Sequence, residues 1–278
     1  MSHTVPGVYP EQLVVSPRRP LATGVPAFLA YATPVDGTTR VAVLHARDEL
    51  DVKFEPAPSA ATTTSHLWPA VEGFFANGGT ECHVVALDDD LPPEAALAAG
   101  LNRLEHVAAD LVCAPDTVRR LKGHASLPLP ATDAATMIRL QRTVLDYCDD
   151  HAERFAVLDS LPRAGLDDVL AQRGKLVARH GALYYPWVRT RIGGDEAQSF
   201  VPPSGHVAGV YARTDAAVGV HKAPANALLE GVLDLAADVG EDEQAGLNPV
   251  GVNCIRAFRG RGIRVWGART PAPSIVPP

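Results

Sequence analysis

Cys82 and His83 are the only adjacent cysteine and histidine in the chain, so zinc chemistry is the first possibility to weigh. A zinc site needs two close pairs of ligands, and the sequence contains neither Cys-x-x-Cys nor His-Glu-x-x-His. On an alternating strand Cys82 faces the core and His83 the opposite side, which makes the pair structural. Asp88-Asp89-Asp90 has the oxygen chemistry of a hard-cation site but reads as a solvated loop at a strand end. Gly174-Lys175 is followed by Leu176, and no glycine stands five positions before Gly174, so a Walker-type phosphate loop is excluded. Pro203-Ser204-Gly205-His206 is the nearest approach to a nucleophile beside a base. It lacks the Gly-x-Ser-x-Gly elbow, and a serine between prolines and a glycine is more simply a helix start. The 32 acidic residues are spread along the chain without a pair whose spacing defines an environment for acid-base work. No catalytic residue, cofactor-binding residue, metal ligand or cofactor is assigned.

The elements that must position any such residues can be read from the same sequence. The chain has 278 residues, with 25 basic and 32 acidic side chains and a net charge of −7. Its arginines come as pairs such as Arg18-Arg19 rather than as a basic stripe, which argues against a nucleic-acid scaffold. At 46% hydrophobic and 21% charged residues the composition is that of a folding globular chain, one large domain or two moderate ones. The apolar run Val25 to Ala32 is far shorter than the ~20 residues of a membrane span. The N-terminus has no basic segment followed by an apolar one, so the expected compartment is the cytoplasm. The scattered Cys82, Cys113, Cys148 and Cys254 suit buried thiols better than disulfides.

Prolines 6, 10, 17 and 20 make residues 1–20 an extended N-terminal arm, since proline fixes φ and removes a ladder donor. Strands are expected at Gly24 to Ala32, Val41 to Leu44, Cys82 to Leu87, Ala109 to Ala114, Arg154 to Asp159 and Ala182 to Tyr185. Helices are expected at Leu67 to Ala76, Pro93 to Arg103, Asp133 to His151, Leu166 to Arg173 and Pro202 to Tyr211, with a loop at Glu55 to Ser65. In the Asp133 helix Met137, Leu140, Val144, Leu145 and Cys148 form the apolar stripe. Asn253 to Phe258 and Gly262 to Gly267 form a C-terminal β-hairpin around Arg259-Gly260-Arg261. The alternation of strand and helix predicts a mixed α/β body over residues 21–270, a central sheet with helices on at least one face, with room for a small subdomain around 88–150. Residues 271–278 are a proline-rich tail.

Three blocks go beyond generic pattern. They are Pro6-Gly7-Val8-Tyr9, the run Phe74-Phe75-Ala76-Asn77-Gly78-Gly79-Thr80-Glu81-Cys82-His83-Val84-Val85, and a series between Ala182 and Thr270. That series includes Ala182-Leu183-Tyr184-Tyr185-Pro186-Trp187, Val201 to Asp215 with its Pro-Pro-Ser-Gly-His start, Gly219 to Asn226, and Gly260 to Thr270 with Trp266-Gly267-Ala268-Arg269-Thr270. Together they resemble the sheath proteins of contractile phage tails and related injection systems.

The resemblance implies a tail-sheath-like fold and a structural role without catalysis or cofactor. Sheath subunits polymerise helically around an inner tube and contract to drive it through a target envelope. The partners implied are other sheath subunits, the inner tube protein and a baseplate or terminal cap, with assembly in the cytoplasm of the producing cell. An arm between subunits would fall on Pro6, Gly7, Val8, Tyr9, Leu13, Val14 and Val15. Arg213, Asp215, Lys222 and Asn226 are the polar residues of the densest block, Val201 to Asn226, that are expected to matter. They are assigned to salt bridges and turn hydrogen bonds within one body, with contacts between subunits as the alternative. Sheath proteins usually continue beyond the Trp-Gly-Ala-Arg-Thr block into a further domain, so the chain reads as a truncated form, and the strands from Asn253 to Trp266 are expected to have fewer neighbours than in those proteins. A non-contracting cap, an adaptor or a relic copy is the first alternative function. A cytoplasmic α/β enzyme with its site at the strand ends is the second.

Overall fold

A computed structural model describes residues 23–56, 65–119, 131–191 and 198–272. In chain order its elements are β1 (Pro26–Pro34), β2 (Val41–Leu44), α1 (Glu49–Lys53), β3 (Phe54–Pro56), α2 (Leu67–Ala76), β4 (Cys82–Leu87), α3 (Pro93–Arg103) and β5 (Leu111–Cys113). There follow α4 (Ala131–Asp150), β6 (Phe155–Asp159), α5 (Leu166–Lys175), β7 (Gly181–Tyr185), β8 (Val188–Arg191), β9 (Gln198–Val201) and α6 (Ser204–Ala217). The last are β10 (Ala227–Leu228), β11 (Asp234–Leu235), α7 (Glu241–Leu247), β12 (Val252–Phe258) and β13 (Gly262–Trp266). The arm residues Pro6 to Val15 and most of the 271–278 tail lie outside the described residues.

Ten strands form one sheet in the order β10-β13-β12-β7-β6-β5-β1-β4-β2, with β3 pairing to β1. The six strands from β12 to β4 run parallel, while β13, β10, β2 and β3 add antiparallel flanks. Parallel strands need helices on both faces because every crossover lies over the sheet. Along β1, Ala27, Leu29 and Tyr31 enter one core with α3, α4 and α5, while Phe28, Ala30 and Ala32 enter a second core with α2 and α6. The sheet is therefore covered on both sides. His83, expected to face away from the core, is 8% exposed for this reason: its side of β4 is buried as well. All four cysteines are buried and free.

Local signals placed most of these elements. Proline in the first turn opens α3. Asn77-Gly78-Gly79 closes α2, with Gly78 at φ +95° and the Gly79 N–H returning to Phe74 O at 3.0 Å. The predicted stripe of α4 is buried throughout. Two readings are corrected. Glu55 and Pro56 are not loop but β3, paired with Thr33 and Ala32. The helix from Ser204 runs past Tyr211 to Ala217. The C-terminal hairpin continues the large sheet, with β12 paired to β7 and β13 to β10. The residues 88–150 contribute β5 to the middle of the sheet and α3 and α4 to one face. A separate three-stranded sheet, β11-β8-β9, was not legible, because its strands are short and joined across 45 residues by pairs such as Arg189 with Asp234 at 2.9 Å.

Candidate functional site

The densest sequence blocks meet where α6 crosses α2. A Cβ on Gly205 would lie 2.2 Å from Ala70 O, and one on Gly209 would lie 2.4 Å from Phe74 O. One on Gly73 would lie 2.4 Å from the His206 ring. Glycines four apart share one helix face, so the two backbones touch there without side chains between them. Arg213, a further four residues on, continues that face. Its stem lies over Gly78, and its Nη2 donates to Leu228 O at 2.6 Å. Asn77 donates to Gly73 O and Glu230 O at 2.9 and 3.1 Å and accepts from Glu230 N–H at 2.8 Å. Arg213 and Asn77 thus tie the 228–230 segment to the helix pair.

Of the other named polar residues, Asp215 lies in the last turn of α6 and Lys222 and Asn226 beyond its end. Asn226 sits in the left-handed region at φ 61°, and its N–H donates to Val265 O at 2.7 Å. Its carbonyl accepts from Arg264 at 2.8 Å and its side-chain oxygen from Arg261 at 3.2 Å. Lys222 closes a turn by donating its N–H to Gly219 O at 3.0 Å, leaving its ammonium exposed. Asp215 and Lys222 line one cleft of about 450 Å³ at the N-terminal ends of β1, β5 and β6, together with Gly24, Asp110, Glu153 and Arg269. Burial, then the neighbouring Asp110, raises the Asp215 carboxyl above its ordinary range. Arg213 and Asn226 are therefore brought together with β10 and the hairpin, while Asp215 and Lys222 face the cleft.

The strand C-terminal ends carry groups that the sequence did not single out. Asp116 accepts the Tyr31 N–H at 2.9 Å, the Ser65 hydroxyl at 2.7 Å and the His66 N–H at 2.7 Å. Arg119 lies 3.9 Å from the Tyr31 ring centroid and pairs with Asp89 at 3.1 Å, while Asp88 pairs with Arg40 at 3.3 Å. The triple-aspartate run is thus spent partly on ion pairs, and no group of three or more potential ligands converges among the described residues. Asp159 is fully buried and accepts the Ser204 N–H at 2.7 Å, at the positive end of α6. Burial pushes its carboxyl up to about 7, against the Ser204 hydrogen bonds. His206 is fully buried, and burial lowers its imidazole to about 4. Its ring packs on Gly73, so Ser204, Asp159 and His206 do not assemble as nucleophile, base and orienting acid. No spacing rule links residues 31, 65, 66 and 116, which is why the Asp116 cluster had no sequence signal.

Comparison with known proteins bears on the same regions. Residues 92–271 match the model of the phage tail sheath protein central domain, a span that includes α3 to β13. No curated protein matches the chain. Among solved structures, the chain is similar to a chain of the anti-feeding prophage (AFP) baseplate, at 30% identity and a TM-score of 0.67, covering 98% of this chain and 69% of that one. It is similar to a chain of the AFP helical sheath in its contracted state, at 29% identity and a TM-score of 0.65, covering 99% and 70%. A sheath tail protein from Listeria innocua shares the fold at 9% identity, with a TM-score of 0.54 over 87% of this chain and 68% of that one. With the family's central domain matched over more than half of its length, the chain belongs to the phage tail sheath protein family.

Proposed function

We propose that the chain is a structural subunit of a contractile sheath, polymerising helically around an inner tube and contracting to drive it through a target envelope. The observation that carries this reading is the similarity to the contracted AFP helical sheath, which extends over 99% of the chain. The interior supports a mechanical role. Asp116 is held by three donors, and Asp159 and His206 are sealed in the core, so these groups stiffen the body. In rigid-body switching the energy difference lies in the contacts between units, and each unit must move without repacking. The glycine contact of α2 with α6 and the two-sided core supply such a unit.

In this reading Pro6, Gly7, Val8, Tyr9, Leu13, Val14 and Val15 form an extended arm that adds a strand to a neighbouring subunit. The support is their proline punctuation and β-branched content. Residues 21–270 are the body that moves, and assembly takes place in the producing cell's cytoplasm, with the inner tube and a baseplate or terminal cap as further partners. Arg213 and Asn226 act within the subunit, while Lys222 and Asp215 border a surface open to a neighbour.

Electron microscopy of native particles carrying a label specific for this chain tests the proposal. Label along the whole shaft is the expected result. Label confined to one end would replace the sheath role by that of a cap or adaptor, and particles without label would overturn both.

A further inference from the structure

The C-terminal hairpin carries an excess of positive charge that no ion pair among the described residues neutralises. Residues 244–278 contain Arg256, Arg259, Arg261, Arg264 and Arg269 and no Asp, Glu or Lys, a net charge of 5 − 0 = +5. The remaining 243 residues carry 20 − 32 = −12. Arg256 and Arg264 stand directly opposite each other on the β12–β13 ladder. Like charges at that position destabilise a strand pair. Among the described residues none of the five arginines has a carboxylate at ion-pair distance. Three of them meet neutral groups instead: Arg261 and Arg264 bond to Asn226, and Arg264 Nε donates to Arg261 O at 3.0 Å. Arg256 bonds to Gln244, which α7 presents in place of its acidic residues, and its Nε is buried without a partner.

Arg256 and Arg261 are also held in place. Phe258 and Trp266 lie with ring centroids 4.7 Å apart, Arg256 and Arg261 lie 5.1 and 5.5 Å from the Phe258 ring, and Arg261 lies 6.0 Å from Trp266. A guanidinium fixed on an aromatic face loses less entropy on binding a carboxylate. Lysines on a solvated hairpin would serve solubility equally well, but they would not be ordered in this way.

We infer that the β12–β13 hairpin is a docking surface for carboxylates on a second copy of this chain. The occupant follows from charge complementarity, since a copy carries −12 outside its own basic hairpin. The inference rests on the sheath reading, in which copies contact one another repeatedly. On docking, the Arg256–Arg264 repulsion is relieved by anionic neighbours, and bidentate arginine–carboxylate bonds become available.

The test uses particles assembled in the producing cell with the photoreactive residue p-benzoylphenylalanine at position 261. Expected is a cross-linked species of twice the chain mass, with the adduct mapping to an acidic segment of a second copy. Cross-links to a different protein, or only within one chain, overturn the proposal while leaving the sheath reading intact. Particles that contain no copy of the chain overturn the sheath reading and the proposal with it. As a second measurement, the double variant Arg261→Glu, Arg264→Glu, which also gives up the bonds to Asn226 and is compared with wild type only below its own melting temperature, is expected to raise the concentration for half-assembly about tenfold at low salt. That difference shrinks near ~0.5 M salt as the charges are screened. Equal assembly of variant and wild type at every salt concentration refutes the docking surface.

Discussion

Replacing Asp159 by asparagine makes the stability of this protein measurably less dependent on pH. The carboxyl is fully buried between the end of β6 and the start of α6, and burial raises it from the ordinary 3.8 to about 7. The folded protein holds the proton up to about pH 7, whereas the unfolded chain releases it near 3.8. Between those values folding takes up a proton, so stability is greatest on the acid side and falls as pH rises. At about 1.4 kcal/mol per pH unit, the fall amounts to about 4 kcal/mol by neutral pH. In the Asp159→Asn variant the amide oxygen would still accept the Ser204 N–H, and the side chain has no proton to lose. His206 titrates in the opposite sense: its lowered value, about 4, means that acid favours the unfolded chain. Only the difference between wild type and variant therefore isolates Asp159. Urea unfolding at intervals from pH 4 to 8 should show the Asp159→Asn variant gaining on wild type by about 4 kcal/mol as pH rises. A difference that stays constant across that range would refute the account of Asp159 as a carboxyl that ionises only at neutral pH.

Gly209→Ala places a methyl 2.4 Å from Phe74 O and 2.7 Å from Asn77 Cβ, so the α2–α6 contact must open. A loss of about 1–3 kcal/mol or more in thermal or chemical unfolding is expected, and a neutral effect would show that the helices are not in backbone contact. Asp116→Ala strands the Tyr31 and His66 N–H groups and the Ser65 hydroxyl, at about 1–3 kcal/mol for each group left buried without a partner. Calorimetry should show that Asp116→Asn recovers part of this, since one amide oxygen can still accept. Arg213→Glu removes the 2.6 Å bond to Leu228 O and brings a carboxylate towards that carbonyl. Circular dichroism should register loss of folding, whereas a folded variant defective only in assembly would move Arg213 to an interface between subunits. Burial pushes the Cys148 and Cys254 thiols up to about 12 and 11. Thiol-reactive dyes should therefore label the native protein slowly and the urea-unfolded protein at once, and rapid native labelling would contradict the burial.

Local signals in the sequence determined the elements with their own start and stop chemistry. Examples are α2, closed by Asn77-Gly78-Gly79; α3, opened by proline; and the β12–β13 hairpin around Gly260. Capping, φ preference and apolar periodicity act within a few residues, so they can be read without a partner. Arg213, Asp215, Lys222 and Asn226 were legible as part of a dense block, but their separation into two pairs was not. Arg213 and Asn226 bind β10 and the hairpin, whereas Asp215 and Lys222 face the cleft; Arg213 and Asp215 part because residues two apart on α6 point to different faces of the helix. Only the tertiary structure decided that His83 is buried, that Asp159 meets the start of α6, that Asp116 gathers donors from residues 31, 65 and 66, and that Arg256 stands opposite Arg264. Each of these depends on strand order and register, which are settled by the simultaneous burial of two apolar faces and by pairings across tens of residues. Such contacts leave no fixed spacing in the chain, and they appear only when the whole sheet is assembled.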